Sequence, residues 1–352
     1  MGKLAVYKYF TFLFLIATFF FAGFTIFGLF GGDVTPVGNT ARAMLVYILP
    51  LLIICDVLLL IYWLVRKRWL WAAVPLITLM CCIPYCGTLY QFGSQGEDTD
   101  SKSGIKVCSY NVALFGRETT GFIAQDILAE MKRQEVEVLC IQEYNEMSGD
   151  RQNSESYKDY FPYMAQGRGD MVIFSRFPIK QSKNIAFEMT NNSAMWADID
   201  TGGKIIRVFN VHLQTTGINS TLHGAAKLGV QGINIENNRL LKAIYGAYAQ
   251  GMIIRAKQAE VVANEIRTAN RPVIVCGDFN DVPYSYVYNT MLGDLKDGFR
   301  ECGSNWMYTL RDGRKRVRID YIFHSSQLKG ISYYKYDLTY SDHYPIFMKL
   351  EI

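Results

Sequence analysis

The stretch VIVCGDFND, Val273 to Asp281, opens as a buried strand and then places Asp278, Asn280 and Asp281 around a single phenylalanine. Other short apolar runs end in the same kind of residue. IKVCSYN stops at Asn111, VEVLCIQE at Glu143, and KIIRVFNVH at Asn210 and His212. Asp320 lies within VRIDYIF, and Asp342 and His343 precede the last run, YPIFMKLEI. Rigid strand ends are where a scaffold can aim side chains, so these residues are candidates for one site. Their chemistry suits phosphoryl hydrolysis, which must neutralise phosphate oxygens, position a water and protonate a leaving oxygen. A hard oxygen ligand such as Glu143 suits Mg²⁺, with Mn²⁺ an alternative. Asn111 and Asn280 can donate to phosphate oxygens without adding a repelling charge, and His212 and His343 can move protons or stabilise charge as imidazolium.

The elements that would position these residues alternate. Runs at 105–112, 136–143, 170–175, 204–213, 271–280, 317–323 and 344–352 read as strands, and apolar residues recur at helical spacing over 120–134 and 237–269. This predicts an α/β domain with two stacked mixed β-sheets flanked by helices, a four-layer sandwich. The segment 214–236, rich in Gly, Asn and Thr, follows His212 and is a candidate substrate-facing flap. His223 and His324 have no acid or amide beside them at a strand end and read as structural.

The series SYNV, IQE, FNVHL, GDFND, RIDYIF and SDHYPI, in this order, resembles the motifs of the endonuclease/exonuclease/phosphatase superfamily, whose members have a fold like that of pancreatic deoxyribonuclease. The resemblance covers about 105–352. It implies that Glu143 binds the divalent metal with Asn111 beside it and Asp342 nearby. It further implies that Asp278 orients or deprotonates the attacking water, that Asn280 bonds the phosphate, and that His343 contacts the scissile phosphate while Asp320 holds its ring. His212 would be the second phosphate-facing histidine, and Asn210 and Arg318 are assigned to substrate binding. Abasic-site repair nucleases of this superfamily usually carry a tyrosine-bearing motif where NVHL stands. Deoxyribonucleases, neutral sphingomyelinases and inositol-phosphate phosphatases carry the histidine form.

The first ninety or so residues are of another kind. Apolar runs at 10–30, 43–65 and 69–92 each reach the roughly 20 residues that cross a bilayer, so residues 1–92 are expected to form three transmembrane helices. Lys3, Lys8 and the Arg66–Lys67–Arg68 turn belong in the cytoplasm by the distribution of basic residues. Three crossings would place the rest of the chain on the outer, periplasmic side of an inner or plasma membrane. Asp56, inside the second run, is expected to be hydrogen-bonded or protonated between helices. Residues 93–104 read as a polar linker and 105–352 as the catalytic domain.

Composition narrows the partners. From Ile105 onward there are 29 Lys and Arg against 27 Asp and Glu, not the basic surplus of a general nucleic-acid binder. The stretch Arg311 to Arg318, RDGRKRVR, is the exception and is expected to touch anionic substrate or membrane. Eight cysteines include no C-x-x-C pair, and Cys108, Cys140 and Cys276 fall in strand-like runs, so buried free thiols are expected. The leading expectation is a membrane-anchored phosphodiesterase acting on lipid headgroups, of sphingomyelinase or phospholipase C type. An envelope nuclease and a catalytically silent binding module are the alternatives.

Overall fold

The computed structural model describes residues 3–93, 104–113, 124–144, 157–168, 170–188, 190, 192–216, 221, 237–311 and 316–352. Linker residues 94–103 and most of the expected flap, 217–220 and 222–236, lie outside the described residues. The chain divides into two compact units, one of Met1–Thr88 with Pro283–Asn289 and the other of Leu89–Val282 with Thr290–Ile352.

The first unit is helical. Helices α1 (Lys3–Leu29) and α3 (Leu45–Val65) flank a short turn of helix, α2 (Thr40–Ala43), and are followed by α4 (Trp69–Cys81) and α5 (Ile83–Cys86). Buried polar groups fix the register of α1 against α3. The Thr25 hydroxyl donates to Asp56 at 2.6 Å, and the Trp63 indole N–H donates to Thr18 at 2.8 Å. Asp56 is thus hydrogen-bonded between helices, with one oxygen satisfied and Oδ1 without a partner.

Among the described residues two helices, not three, have the length and apolarity to cross a membrane: Val6–Asp33 and Leu45–Val65. The third run breaks. Its helix α4 has 13 residues, roughly 20 Å at 1.5 Å per residue and short of the ~30 Å hydrocarbon core. It stops at Cys82, and Pro84, which has no N–H to offer, opens the separate turn α5. Tyr90–Gln91 then forms a strand, β1, paired with β11 (Asn305–Trp306) in the second unit. Two crossings return a chain to the side on which it began, so the outer placement no longer follows from the count.

The second unit holds two six-stranded sheets. The first is ordered β13 (Lys329–Lys335), β14 (Ile346–Glu351), β2 (Ile105–Asn111), β3 (Val138–Gln142), β5 (Val172–Ser175), β4 (Tyr163–Gln166). The second is ordered β10 (Lys296–Asp297), β12 (Asp320–His324), β9 (Val273–Asp278), β8 (Ile205–His212), β7 (Ser193–Asp200), β6 (Ile179–Ala186). One apolar core joins them, with Val107, Cys140 and Met348 from the first sheet meeting Val208, Cys276 and Ile322 from the second. On the outer face of the first sheet, α6 (Ala124–Arg133) packs Ile127, Leu128 and Met131 against the neighbours of Cys108 and Leu139. Each such side chain contributes about 1.5–3 kcal/mol on full burial. Helix α7 (Asn237–Arg267) covers the second sheet, and Glu265 reaches Lys183 of β6 at 2.7 Å. These are the four layers expected. All eight cysteines are free, with Cys108, Cys140 and Cys276 buried in strands.

Every expected strand is present within a few residues of its predicted ends, whereas β4, β6, β7 and β13 and the two-residue strands β1, β10 and β11 were not foreseen. β6 is an edge strand with five consecutive exposed residues, so no apolar alternation marks it. In β7 the signal is broken by Asp198, whose buried carboxylate is matched in register by Arg207 of β8 and bonded to it at 2.8 and 2.9 Å.

Candidate active site

Most strand pairs here are antiparallel. Among the described strands the parallel ones are β2 with β3 and β8 with β9, one pair at the centre of each sheet. Parallel pairing brings like ends together. His212 is therefore in register with Asp278, and Asn111 with Gln142, whose next residue is Glu143. The antiparallel partner β12 sets Asp320 opposite Asp278. Gly277 makes the exit of β9 possible: its φ is +147°, and a Cβ there would lie 1.9 Å from the Val211 carbonyl oxygen. Glu143 and Asn280 both adopt left-handed backbone, φ +55° and +52°, a cost of about 1–3 kcal/mol for a non-glycine residue that clusters at functional sites.

The two sheets meet chemically at Asn111. Its amide nitrogen donates at 3.0 Å to both Glu143 Oε1 and Asp278 Oδ2, bridging an acid from each sheet. Its oxygen accepts from the Ala113 N–H at 3.0 Å. Asp278 Oδ1 accepts from the Asn280 N–H at 2.8 Å, and the Asn280 side-chain amide holds the Leu213 carbonyl at 2.9 Å.

His343 is the most constrained group. Asp320 approaches its Nδ1 at 3.0 and 3.2 Å, leaving Nε2 3.7 Å from Asp278 and 4.0 Å from Asp342. Burial alone would lower its pKa, but Asp320, then Asp278, outweigh burial and raise it to about 10. Asp278 is pushed up to about 6, first by burial and then by the charge of Asp320, against the pull of both histidines. The loop carrying Asp342 and His343 is clamped. Ser341 donates to the Asn111 carbonyl at 2.8 Å and accepts from the His343 N–H, while Arg311 donates twice to the Ser341 carbonyl at 3.0 and 2.8 Å.

His212 stands between two acids, with Nδ1 3.4 Å from Asp170 and Nε2 3.7 Å from Glu143. Neither nitrogen makes a well-formed hydrogen bond. Burial lowers its pKa, but Asp170, Asp278 and Glu143 together raise it. Sequence reading missed Asp170 and Arg311. Asp170 opens the run DMVIFS instead of closing it, and Arg311 looked like part of a charge cluster.

Two assignments are corrected. Arg318 is fully buried, and its guanidinium is bonded to Asp297 at 2.8 and 2.5 Å and stacked over Phe299 and Tyr321. It is a core ion pair with no face for substrate. Asn210, also fully buried, donates at 2.9 Å to the carbonyls of Ile141 and Val172 and accepts from Gln142, stapling the second sheet to the first. With Arg311 holding the 341 loop, two of the five cations in RDGRKRVR are structural; residues 312–315 lie outside the described residues. His324 is structural as expected, buried in β12 with Nε2 2.7 Å from Glu301. A cleft of about 770 Å³ lined by Arg168, Glu188, Thr190, Asn192 and Gln214 opens two residues beyond His212.

Glu143, a partly exposed carboxylate held by Asn111, is the oxygen donor suited to a hard cation, and Asp278, Asp320 and His343, whose side-chain atoms lie within 4.8 Å of one another, are joined to it through Asn111.

Residues 108–343 match the model of the Endonuclease/Exonuclease/phosphatase family. The chain belongs to this family. Residues 11–89 match a domain of unknown function, DUF8431. Among solved structures, an endonuclease/exonuclease/phosphatase from Beutenbergia cavernae shares 17% identity at TM-score 0.52, covering 71% of this chain and 72% of that one. A family protein from Bacteroides vulgatus shares 17% at TM-score 0.51, over 71% of this chain and 100% of that one. TDP2 from C. elegans shares 15% at TM-score 0.51, over 71% and 75%. At these identities the likeness is one of fold. No curated protein matches the chain in sequence.

Proposed function

We propose that this family member is a membrane-anchored, divalent-metal-dependent phosphodiesterase whose substrates are lipid headgroups. The observation that carries the hydrolytic reading is the buried Asp278–His343–Asp320 cluster joined through Asn111 to Glu143. A bound Mg²⁺, held by Glu143 with Asp342 nearby, would supply Lewis-acid charge to a phosphate oxygen.

The chain's own residues supply the rest. Asp278, with its pKa raised to about 6, is a base matched to neutral pH and can orient and deprotonate a water. His343 stays protonated at that pH, and its Nε2 faces the same space, where it can donate to a phosphate oxygen or the leaving oxygen. His212, its pKa raised by Asp170, Asp278 and Glu143 against burial, lies beside Glu143, and Asn280 donates to the carbonyl of Leu213, the residue after His212.

The lipid reading is supported by the two long apolar helices and by the near-neutral charge of residues 105–352. It does not need the outer side, because headgroups face both. Full-length protein with Mg²⁺ should hydrolyse sphingomyelin or a glycerophospholipid faster than DNA or an inositol phosphate, and EDTA should abolish the reaction. DNA as the fastest substrate would overturn the lipid assignment while leaving the hydrolase; activity unchanged by EDTA and by Glu143→Ala would overturn the mechanism. A reporter fused after Ser101 would report on which side the catalytic unit lies.

A further inference from the structure

A cleft of about 490 Å³ runs along the helical unit, lined by Phe19, Gly23, Ile26, Phe27 and Phe30 of α1 and its continuation, with Thr78 of α4 and Arg42 of α2. The α1 residues recur every three or four positions, one stripe of the helix, while Thr18 and Thr25 on another face bond α3. The stripe is open. A Cβ on Gly23 would meet nothing within 4 Å.

Length and charge say what fits it. From Phe19 to Phe30 the helix advances about 17 Å, close to the ~15 Å hydrocarbon half-thickness of a bilayer. Arg42 closes the end that the span Val6–Asp33 brings to the membrane surface. Its guanidinium lies 4.8 Å over the Phe27 ring, and its Nε is buried with no hydrogen-bond partner. No carboxylate is among the residues lining the cleft. A cation with an unmet donor at one end of an acyl-length apolar groove is complementary to one molecule of an anionic phospholipid.

We infer that the helical unit carries a binding site for an anionic phospholipid, with the acyl chain along Phe19–Phe30 and the headgroup phosphate on Arg42. The site is separate from the catalytic cluster and rests on the reading that α1 and α3 cross a membrane. It gives the family's catalytic unit an anchor that discriminates between lipids.

The test is full-length protein in vesicles of equimolar phosphatidylglycerol and phosphatidylcholine, with retained lipid counted by native mass spectrometry after release. One phosphatidylglycerol per chain should be kept in about fivefold preference, the effect of one cation at an anionic surface. Arg42→Gln should abolish the preference and Arg42→Lys keep it. Gly23→Leu, which fills the groove, should lower retention of both lipids. Equal retention by the unaltered protein, or a preference that survives Arg42→Gln in protein that still floats with the vesicles, would overturn the lipid site alone. Failure to float with any vesicle would overturn the anchor and the site together.

Discussion

The two histidines of the site are built differently, although each has a nearby aspartate. His343 is locked: Asp320, on an interior strand, holds its Nδ1 at 3.0 Å, and its loop is clamped by Ser341 and Arg311. His212 is itself on a strand, but its aspartate comes from the segment before β5, and the contacts of 3.4 and 3.7 Å leave both nitrogens without a formed hydrogen bond. The difference suggests a division of labour. A ring fixed in tautomer and direction suits directed proton transfer, while a ring between two acids suits charge stabilisation that adjusts as substrate enters.

The sharpest way to break this contrast is to truncate each ring. His343→Ala should lower kcat by about 10⁴, near the upper end for a lost general acid, and His212→Ala by about 10². Equal losses, read by steady-state kinetics on the best phosphodiester, would erase the distinction. Next in size are the supports: Asp320→Asn should cost about 100-fold and Asp170→Asn about tenfold, the range for outer-shell partners. A larger loss from Asp170→Asn would make His212 the directed ring.

The pH profile tests the same contrast. Activity should rise as Asp278 deprotonates near pH 6 and fall as His343 loses its proton near pH 10, with the limbs belonging to the coupled cluster. Asp320 raises both pKa values, so Asp320→Asn should move both limbs to lower pH, and Asp170→Asn should leave them in place. Stability follows with opposite signs. His343 binds its proton more tightly when folded, so its contribution is complete below its ordinary value of about 6.5 and is lost as pH rises through about 10. Asp278 is harder to ionise when folded, so it imposes a cost that grows from about pH 4 to about 6 and persists above. Urea denaturation midpoints of Asp320→Asn should therefore stop falling at a lower pH than those of the unaltered protein, because the folded-state pKa values move while the unfolded ones do not. The smallest effect on chemistry is expected at Arg318→Met, with KM unchanged and stability lowered by about 3–5 kcal/mol because Asp297 is left as a buried unpaired charge. A raised KM in folded protein would restore Arg318 to the substrate.

Much of the site was legible in the chain because its residues close apolar runs. Asp278, His212, Glu143 and Asn111 occupy strand ends, and a strand end is a local property, readable wherever a buried run stops at a polar residue. Asn210 matched the same local cue and Arg318 stood out only as part of a basic stretch, yet both point into the core, one bonding backbone across the sheets and the other pairing with Asp297. Local sequence does not say which way an end residue faces when its partner is far away in the chain. Asp170 was invisible for the converse reason, since its partner His212 lies 42 positions on.

The helical unit divides along the same line. The length and apolarity of 10–30 and 43–65 are sums over local residues, and they determine two helices able to cross a bilayer. The third run has similar composition, but Pro84 and the pairing of Tyr90 with Trp306 end it early, and that pairing spans more than two hundred residues. Sequence by itself therefore determined the sandwich, the spans as far as local hydropathy reaches, and the residue types of a phosphoryl site. Only the tertiary structure decided which acids meet which histidines, which amide became a staple and which arginine was buried. Those outcomes depend on strand register and on distances between segments remote in the chain, and neither is written into any one stretch of residues.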